Sequence, residues 1–333
     1  MDMLTTAGAA ARPLARDLLA ESRIGATRTV RVPRDLPTRE ATLAGEFTLA
    51  GPGLHTGGRV TARAEPAGPG RGVVFRLPRT GGRGRAATVA ADWRSRVPAE
   101  LCTALRAPDG TVLRTVEHLL AALSAHRIDN AEVVLDGPEL PILDGSALPW
   151  CEAILAAGRR EQASPRRYLR VLRPVEVLGD DRAVRILPPD RPEDGLVLEV
   201  SLGLAGFGEM AWRGRVDPAG FRAELAPSRS FGRLKWALPA KLYGLAAGRP
   251  LLRGATFSNT AAIVGGRVIG GMRLPAEPAR HRALDIVGDL ALAGLPILAR
   301  VEARRPGHDL NHAALAHLMR RTDAWTVEGG DGP

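Results

Sequence analysis

Cysteine is nearly absent from this chain. Cys102 and Cys151 are the only two in 333 residues, too few for a disulfide framework or a cysteine-built zinc cluster. No apolar run approaches the ~20 residues that a membrane-spanning helix needs, and the Ala- and Arg-rich start lacks the apolar stretch of a secretory signal. Aromatic residues make up 4% of the chain, which leaves little on which nucleic-acid bases could stack. Lysine is equally scarce, with Lys235 and Lys241 the only two. The formal charge of +10 is therefore carried by arginines spread along the whole chain. It reads as a compositional bias rather than a nucleic-acid footprint, and it is compatible with a phosphate-bearing small molecule. What remains is 45% hydrophobic and long enough for two domains with buried cores. A cytoplasmic protein with no nucleic-acid partner and no transmembrane segment is expected.

Residues 1–40 read as a flexible N-terminal extension, with a helical turn or two over Leu14–Leu19. From Ala41 onward, glycine and proline breaks separate short strand-like runs: TLAGEF (42–47), RVTARAEP (59–66) and GVVFRLP (72–78). Val116, Leu119, Leu120 and Leu123 share the apolar spacing of a helix over 115–125, with Thr115 as its N-cap. A strand at AEVVLDG and a helix over 148–157 follow, the latter turning Trp150, Ile154 and Leu155 inward. The polar stretch 161–167 marks a domain boundary. Beyond it the style repeats, with strands at YLRVLRPVEVL, AVRILP, LVLEVSLGL, AAIVGGRVIG and PILARVEARR, and helices over 275–289 and 311–320. This order predicts an α+β protein of two similar layered domains, 41–164 and 165–333, without a sequence repeat between them.

Chemistry concentrates in the helix over 275–289. Steps of four bring His281, Asp285 and Asp289 onto one stripe, while Ala283, Ile286, Val287 and Leu290 share the opposite face. Pro278 suits the first turn, and Gly288 leaves space within the polar stripe. A histidine and a carboxylate one turn apart can reach one metal ion, and a catalytic zinc wants three protein ligands with a fourth position open. A solvated helix face is the plainer alternative. In the first turn of the other helix stand Glu117 and His118, where the positive helix end favours a carboxylate and a neutral imidazole. Neighbouring helical residues diverge by about 100°, so one of the two could ligate while the other reaches bound water.

The run TVEHLLAALSAHRIDNAEVVLDGPELPILDGSALPW, with GPGLHTGG upstream and RHRALDIVGDL downstream, resembles the UDP-3-O-acyl-N-acetylglucosamine deacetylase family, the zinc amidases of lipid A biosynthesis. The likeness extends from Ala41 to Trp325. It implies two two-layer βα-sandwich domains packed face to face, with the active site at their junction. It further implies His118, His281 and Asp285 as ligands of Zn2+, Glu117 as general base, His308 as the second acid–base residue and Asp289 as the carboxylate that keeps it charged. Ser230, where the family usually has threonine, would aim its hydroxyl at the oxyanion. Phe231, Leu101, Cys102, Arg282 and Arg305 match the substrate-binding residues, the two arginines standing where lysine is common. Residues 232–270 match an inserted unit that forms a hydrophobic acyl passage, although its usual GGSLDN-like turn reads GATFSN here.

The activity implied is hydrolysis of the N-acetyl group of UDP-3-O-(3-hydroxyacyl)-N-acetylglucosamine to acetate and a free glucosamine amine, by a monomer open to peripheral membrane contact. The altered insert motivates one alternative, a zinc amidase acting on another acetylated sugar nucleotide or glycolipid. His55 matches a family histidine near the site or serves only its turn. Asp144 reads as an Asx-turn residue, and His126, His312 and His317 as surface or helix-face residues. Cys102 reads as small packing rather than as a reactive thiol.

Overall fold

Alternation of apolar and polar residues is strongest in the strands Arg59–Pro66 and Leu196–Leu204, and each becomes a central element of one half. Val60, Ala62 and Ala64 point to the core from the first, and Leu198, Val200 and Leu202 from the second, as a period of two requires. The computed structural model describes residues 36–78, 86–191 and 194–329. The expected helical turn at 14–19 and nearly all of the N-terminal extension lie outside them.

Among the described residues up to Pro165, the strands pair only with one another. Five of them, in the order Phe47–Pro52, Arg59–Pro66, Ala131–Leu135, Val73–Leu77 and Ala87–Ala90, make a mixed sheet. Arg39–Leu43 pairs antiparallel with Arg159–Pro165, so the expected polar boundary is in fact a strand that returns to the start of the fold. From Tyr168 onward a seven-stranded sheet is built around Ile297–Arg304, which pairs antiparallel with Ala183–Leu187 and parallel with Leu196–Leu204. Within this half, Phe231–Arg233 and Ala261–Val264 pair in parallel. The crossover between them is the helix Leu234–Ala246, so the unit expected at 232–270 is a βαβ.

Among the described residues, five helices of nine or more residues complete the layers: α1 (Glu117–Ala125), α2 (Leu148–Ala157), α3 (Leu234–Ala246), α4 (Glu277–Leu290) and α5 (His308–Arg320). α2 packs on Phe47–Pro52, α4 on the hairpin of Leu196–Leu204 and Gly208–Arg215, and α5 on Val175–Leu178 and Ala183–Leu187. The helical layers then meet through α1 against α4, and one apolar cluster runs continuously through both halves. This is the α+β arrangement expected. Among the described residues no helix is long and apolar enough to cross a membrane.

Several local expectations need correction. Residues 42–47 are not one strand, because the chain turns at 44–46 between two. YLRVLRPVEVL is likewise split, into Tyr168–Val171 and Val175–Leu178, with Pro174 in the break. Leu155 is 50% exposed, and Cys151 takes its place in the core beside Trp150 and Ile154. Thr115 does not cap α1. It lies at φ 60° and its hydroxyl donates to Glu139 Oε1 at 2.9 Å, while Val116 occupies the cap. α5 begins three residues earlier than expected, at His308, so that histidine opens a helix instead of lying in a loop.

α4 is buried on both sides, its apolar face on the sheet and its polar stripe on α1. Gly288 permits this approach, since a Cβ there would sit 2.1 Å from the carbonyl oxygen of Glu117. In an exposed helix interior, replacing glycine by alanine gains about 0.5–1 kcal/mol. Here the obstacle is a backbone atom that cannot swing aside, and overpacking of this kind costs about 1–3 kcal/mol. Gly288→Ala is therefore expected to destabilise the protein by about 2 kcal/mol, read as a lower urea midpoint at unchanged slope. A stabilised variant would show that the two helices are free to separate.

Candidate active site

The close approach at Gly288 brings the first turn of α1 to the polar stripe of α4. His118 from α1 and His281 and Asp285 from α4 then offer ligand atoms that all lie within 4.8 Å of one another, and all three residues are buried. His118 Nε2 is 3.9 Å and His281 Nε2 3.4 Å from Asp285 Oδ1, and the two rings stand perpendicular. His281 Nδ1 lies 3.1 Å from the Ser228 carbonyl. Donation to that oxygen leaves the Nε2 lone pair facing the cluster, as orientation of a metal-binding imidazole requires. Asp285 Oδ1 is buried without a hydrogen-bond partner, an expensive omission unless a cation completes it.

The electrostatics suit a cation as well. Burial, reinforced by the neighbouring His281, lowers the His118 pKa to about 3. His281 is lowered too, chiefly by burial. Burial would raise Asp285, but the charges of His281, His308 and Arg282 outweigh it and hold the carboxylate ionised. Two neutral imidazoles and one carboxylate are a donor set that fits Zn2+.

Beside this cluster lies an acid–base array. Burial, with Asp285 and Asp289 adding to it against His308, pushes the Glu117 pKa up to about 8. Its Oε2 accepts from the Thr103 amide at 3.0 Å, while Oε1 faces His308 Nε2 across 3.7 Å. Burial opposes the charge on His308, yet Asp289 and Asp285 overcome it and raise its pKa to about 10. Asp289 makes the direct contact, with Oδ2 2.9 Å from His308 Nδ1. That oxygen also accepts from Asn311 at 2.8 Å, and Oδ1 accepts from the Thr103 hydroxyl at 2.5 Å. Despite its burial, Asp289 is held well below the usual carboxylate range by His308 and His312.

Both groups adjoin a cavity of about 710 Å³. Glu117, His118, Ser230, His281, Asp285 and His308 form its polar end, and Leu54, Leu101, Phe231, Trp236, Ala240 and Leu252 belong to its apolar walls. Phe231 meets His281 edge to face at 6.0 Å, and the Arg282 guanidinium lies 5.0 Å over the Phe231 ring while donating to Asp285 Oδ2 at 3.0 Å. Two expected substrate residues stand apart. Cys102 is buried and does not line the cavity, and burial, aided by Glu117, pushes its thiol up to about 12. Arg305 lies outside the lining and pairs with Asp181.

Three further residues escaped sequence reading. Thr103 joins Glu117 to Asp289, and Arg182 lines the cavity in a bidentate pair with Asp309. His312 is buried rather than on the surface, with Nε2 3.1 Å from the Thr103 hydroxyl, and burial lowers its pKa to about 4. Its spacing of four from His308, with Asn311 between, was a readable helical signal. Nothing local marks Thr103. His126 is buried too, whereas His317 is exposed as expected. The His55 ring is fully buried and does not line the cavity; its backbone amide, with the amide and hydroxyl of Thr56, ties the turn to Glu139. Asp144 accepts from the amide and hydroxyl of Ser146, as an Asx turn does.

Residues 40–320 match the profile of the family described as UDP-3-O-acyl N-acetylglycosamine deacetylase. The chain is 39% identical over 281 residues to the UDP-3-O-acyl-N-acetylglucosamine deacetylase of Phenylobacterium zucineum, covering 84% of this chain and 92% of that protein. Against the protein of the same name from Syntrophotalea carbinolica, identity is 34% over 296 residues, 88% of this chain and 92% of the relative. Against that of Brucella melitensis biotype 2 it is 36% over 290 residues, 86% and 98% of the two chains.

The Asp289–His308 pair has a definite pH signature. The His308 pKa is raised from the ordinary 6.5 to about 10, so its contribution to stability is full below 6.5 and fades as pH rises toward 10. That of Asp289, whose pKa is depressed from 3.8, is present above 3.8 and lost at lower pH. Asp289→Asn is expected to return the His308 pKa toward or below 6.5, followed through the ring-proton shifts in NMR titration. An unchanged titration would mean that another group holds the charge.

Proposed function

The chain belongs to the UDP-3-O-acyl N-acetylglycosamine deacetylase family, and from that premise we propose that His118, His281 and Asp285 hold Zn2+ while Glu117 and His308 act as the acid–base pair. The reaction is hydrolysis of the N-acetyl amide of UDP-3-O-acyl-N-acetylglucosamine, a step of lipid A biosynthesis, yielding acetate and a glucosamine amine. The observation that carries the residue assignment is the buried His-His-Asp cluster, with its unpartnered Asp285 oxygen, next to two acid–base groups of opposite bias.

When bound, the ion supplies Lewis acidity, lowering the pKa of a coordinated water toward 7 and polarising the acetyl carbonyl. Glu117 takes the proton from the attacking water through Oε1, since Oε2 is held by Thr103. A pKa near neutrality suits a group that must accept and return a proton within one cycle. His308 has its Nδ1 engaged by Asp289, so its proton on Nε2 faces the reacting centre. It stabilises the tetrahedral oxyanion electrostatically and then protonates the leaving amine. Ser230, in the cavity wall, supplies a hydroxyl donor to the same oxyanion, an interaction worth about 10²–10³ in rate.

The remaining lining supports the substrate class. Arg182, Arg233 and Arg282 bring guanidinium groups to the cavity, and forked donors of this type suit a diphosphate. Phe231 and, from within 232–270, Trp236, Ala240 and Leu252 offer an apolar wall for the acyl chain. Closure of every sheet within 39–165 or within 168–328 supports two domains, 41–164 and 165–333.

The test is acetate release from UDP-3-O-(3-hydroxyacyl)-N-acetylglucosamine alongside metal quantification. Wild-type protein is expected to carry about one zinc per chain and to lose activity on chelation. Glu117→Ala is expected to keep the metal and lose roughly 10²–10⁴ in rate. Loss of zinc in that variant would make Glu117 a ligand, and full activity would end its role as base.

A further inference from the structure

Arginines occur along the whole chain, but its net charge gathers where acidic residues are missing. Between Leu225 and Ala276 stand eight basic residues and no aspartate or glutamate, so this stretch alone carries +8 of the formal +10. It includes both lysines and the whole βαβ unit around α3. The same segment is where the apolar surface gathers: of twelve large hydrophobic side chains prominently exposed among the described residues, eight fall between Trp236 and Ile269.

α3 is built inside out. A helix in water normally hides its large apolar residues and shows small or charged ones. Here the small Ala237 and Ala240 pack on the inner cluster of Leu54, Ile142, Leu251 and Leu252. Trp236 (68% exposed), Leu242 (57%) and Tyr243 (55%) face outward with Leu238 and Leu245. Cations accompany the aromatics, Lys235 lying 5.2 Å over the Trp236 ring and Arg249 5.9 Å over that of Tyr243. Phe257, on the turn after the helix, is also mostly exposed.

We propose that α3 and the Phe257 turn form a docking surface for an anionic lipid bilayer. Leucine and aromatic side chains would enter the headgroup region while lysine and arginine meet its negative charge, as interfacial helices do. A nucleic acid would leave Leu238, Leu242 and Leu245 against a polar backbone that gives them nothing. A second copy docking through the same face would bring two strongly positive stretches together. Trp236, Ala237 and Ala240 also wall the cavity, so docking sets its apolar side beside the bilayer. The inference rests on this surface alone and does not depend on the metal assignment.

Flotation of the full-length protein with vesicles tests it directly. Co-flotation is expected with equal parts phosphatidylcholine and phosphatidylglycerol, and about ten-fold less with phosphatidylcholine alone. Leu242→Ser with Leu245→Ser, and separately Lys235→Glu with Arg249→Glu, should each lower the partition coefficient about ten-fold. Their unfolding midpoints and acetate release from detergent-dispersed substrate should remain at wild-type level. Arg59→Glu with Arg106→Glu, the same charge change on exposed residues outside this segment, should alter binding by less than about two-fold. No binding to anionic vesicles, equal binding to neutral ones, or an equal loss in the control pair would overturn the proposal. So would dimerisation, or tighter RNA binding, through the α3 residues. Zinc content and solution activity are measured on the same samples, so failure of docking and failure of the catalytic assignment are separately visible.

Discussion

A backbone carbonyl resting on a glycine holds this protein's chemistry together. The Glu117 carbonyl has no room for a side chain at Gly288, and the close contact of α1 with α4 depends on that. Neither helix carries a complete site. α1 brings one imidazole and a carboxylic acid, while α4 brings an imidazole and two carboxylates, and only their close approach makes a three-ligand cluster. α1 packs on α2, and α4 on the hairpin of Leu196–Leu204 and Gly208–Arg215, so the approach is set by packed elements and not by flexible loops. A metal site with catalytic duties needs such supports, because small displacements of its ligands are costly in rate.

The two aspartates of α4 show how surroundings divide labour between identical side chains. Asp285 and Asp289 lie one turn apart on the same stripe, both buried and ionised. Asp289 is held on both oxygens by Thr103, Asn311 and His308, which commits it to the imidazole of His308. Asp285 keeps one oxygen without a partner and turned toward two neutral imidazoles. Thr103 adds a further constraint, because its amide orients Glu117 and its hydroxyl orients Asp289. Glu117 and Asp289 are thereby positioned from one residue.

The cavity joins this charged end to apolar walls drawn partly from the βαβ unit. That unit reverses the usual distribution of side chains, with alanines inward and leucines and aromatics outward. Its apolar surface therefore continues from the cavity lining to the exterior of the molecule. A substrate with a charged nucleotide and an acyl chain presents the same two-ended character to the protein.

Much of this was legible along the chain. The four-residue spacing of His281, Asp285 and Asp289, and the Glu117–His118 pair at a helix start, are local signals, since one helix fixes which of its own side chains share a face. Strand alternation at 59–66 and 196–204 was equally local, and the spacing of His308, Asn311 and His312 carried information that residue-by-residue reading passed over. Other features depended on partners distant in sequence. Thr115 has the chemistry of an N-cap, yet Glu139 claims its hydroxyl. Cys102 and Arg305 adjoin residues of the site, but backbone direction turns one into the core and the other toward Asp181. Thr103 gains its role from residues 186 and 205 positions away. The sequence by itself determined which helices carry reactive groups and on which faces, because those depend on the period of the helix. Only the tertiary structure decided which groups meet, which carboxylate is left open and which histidine carries charge, because burial and Coulombic coupling depend on distances that no local pattern encodes.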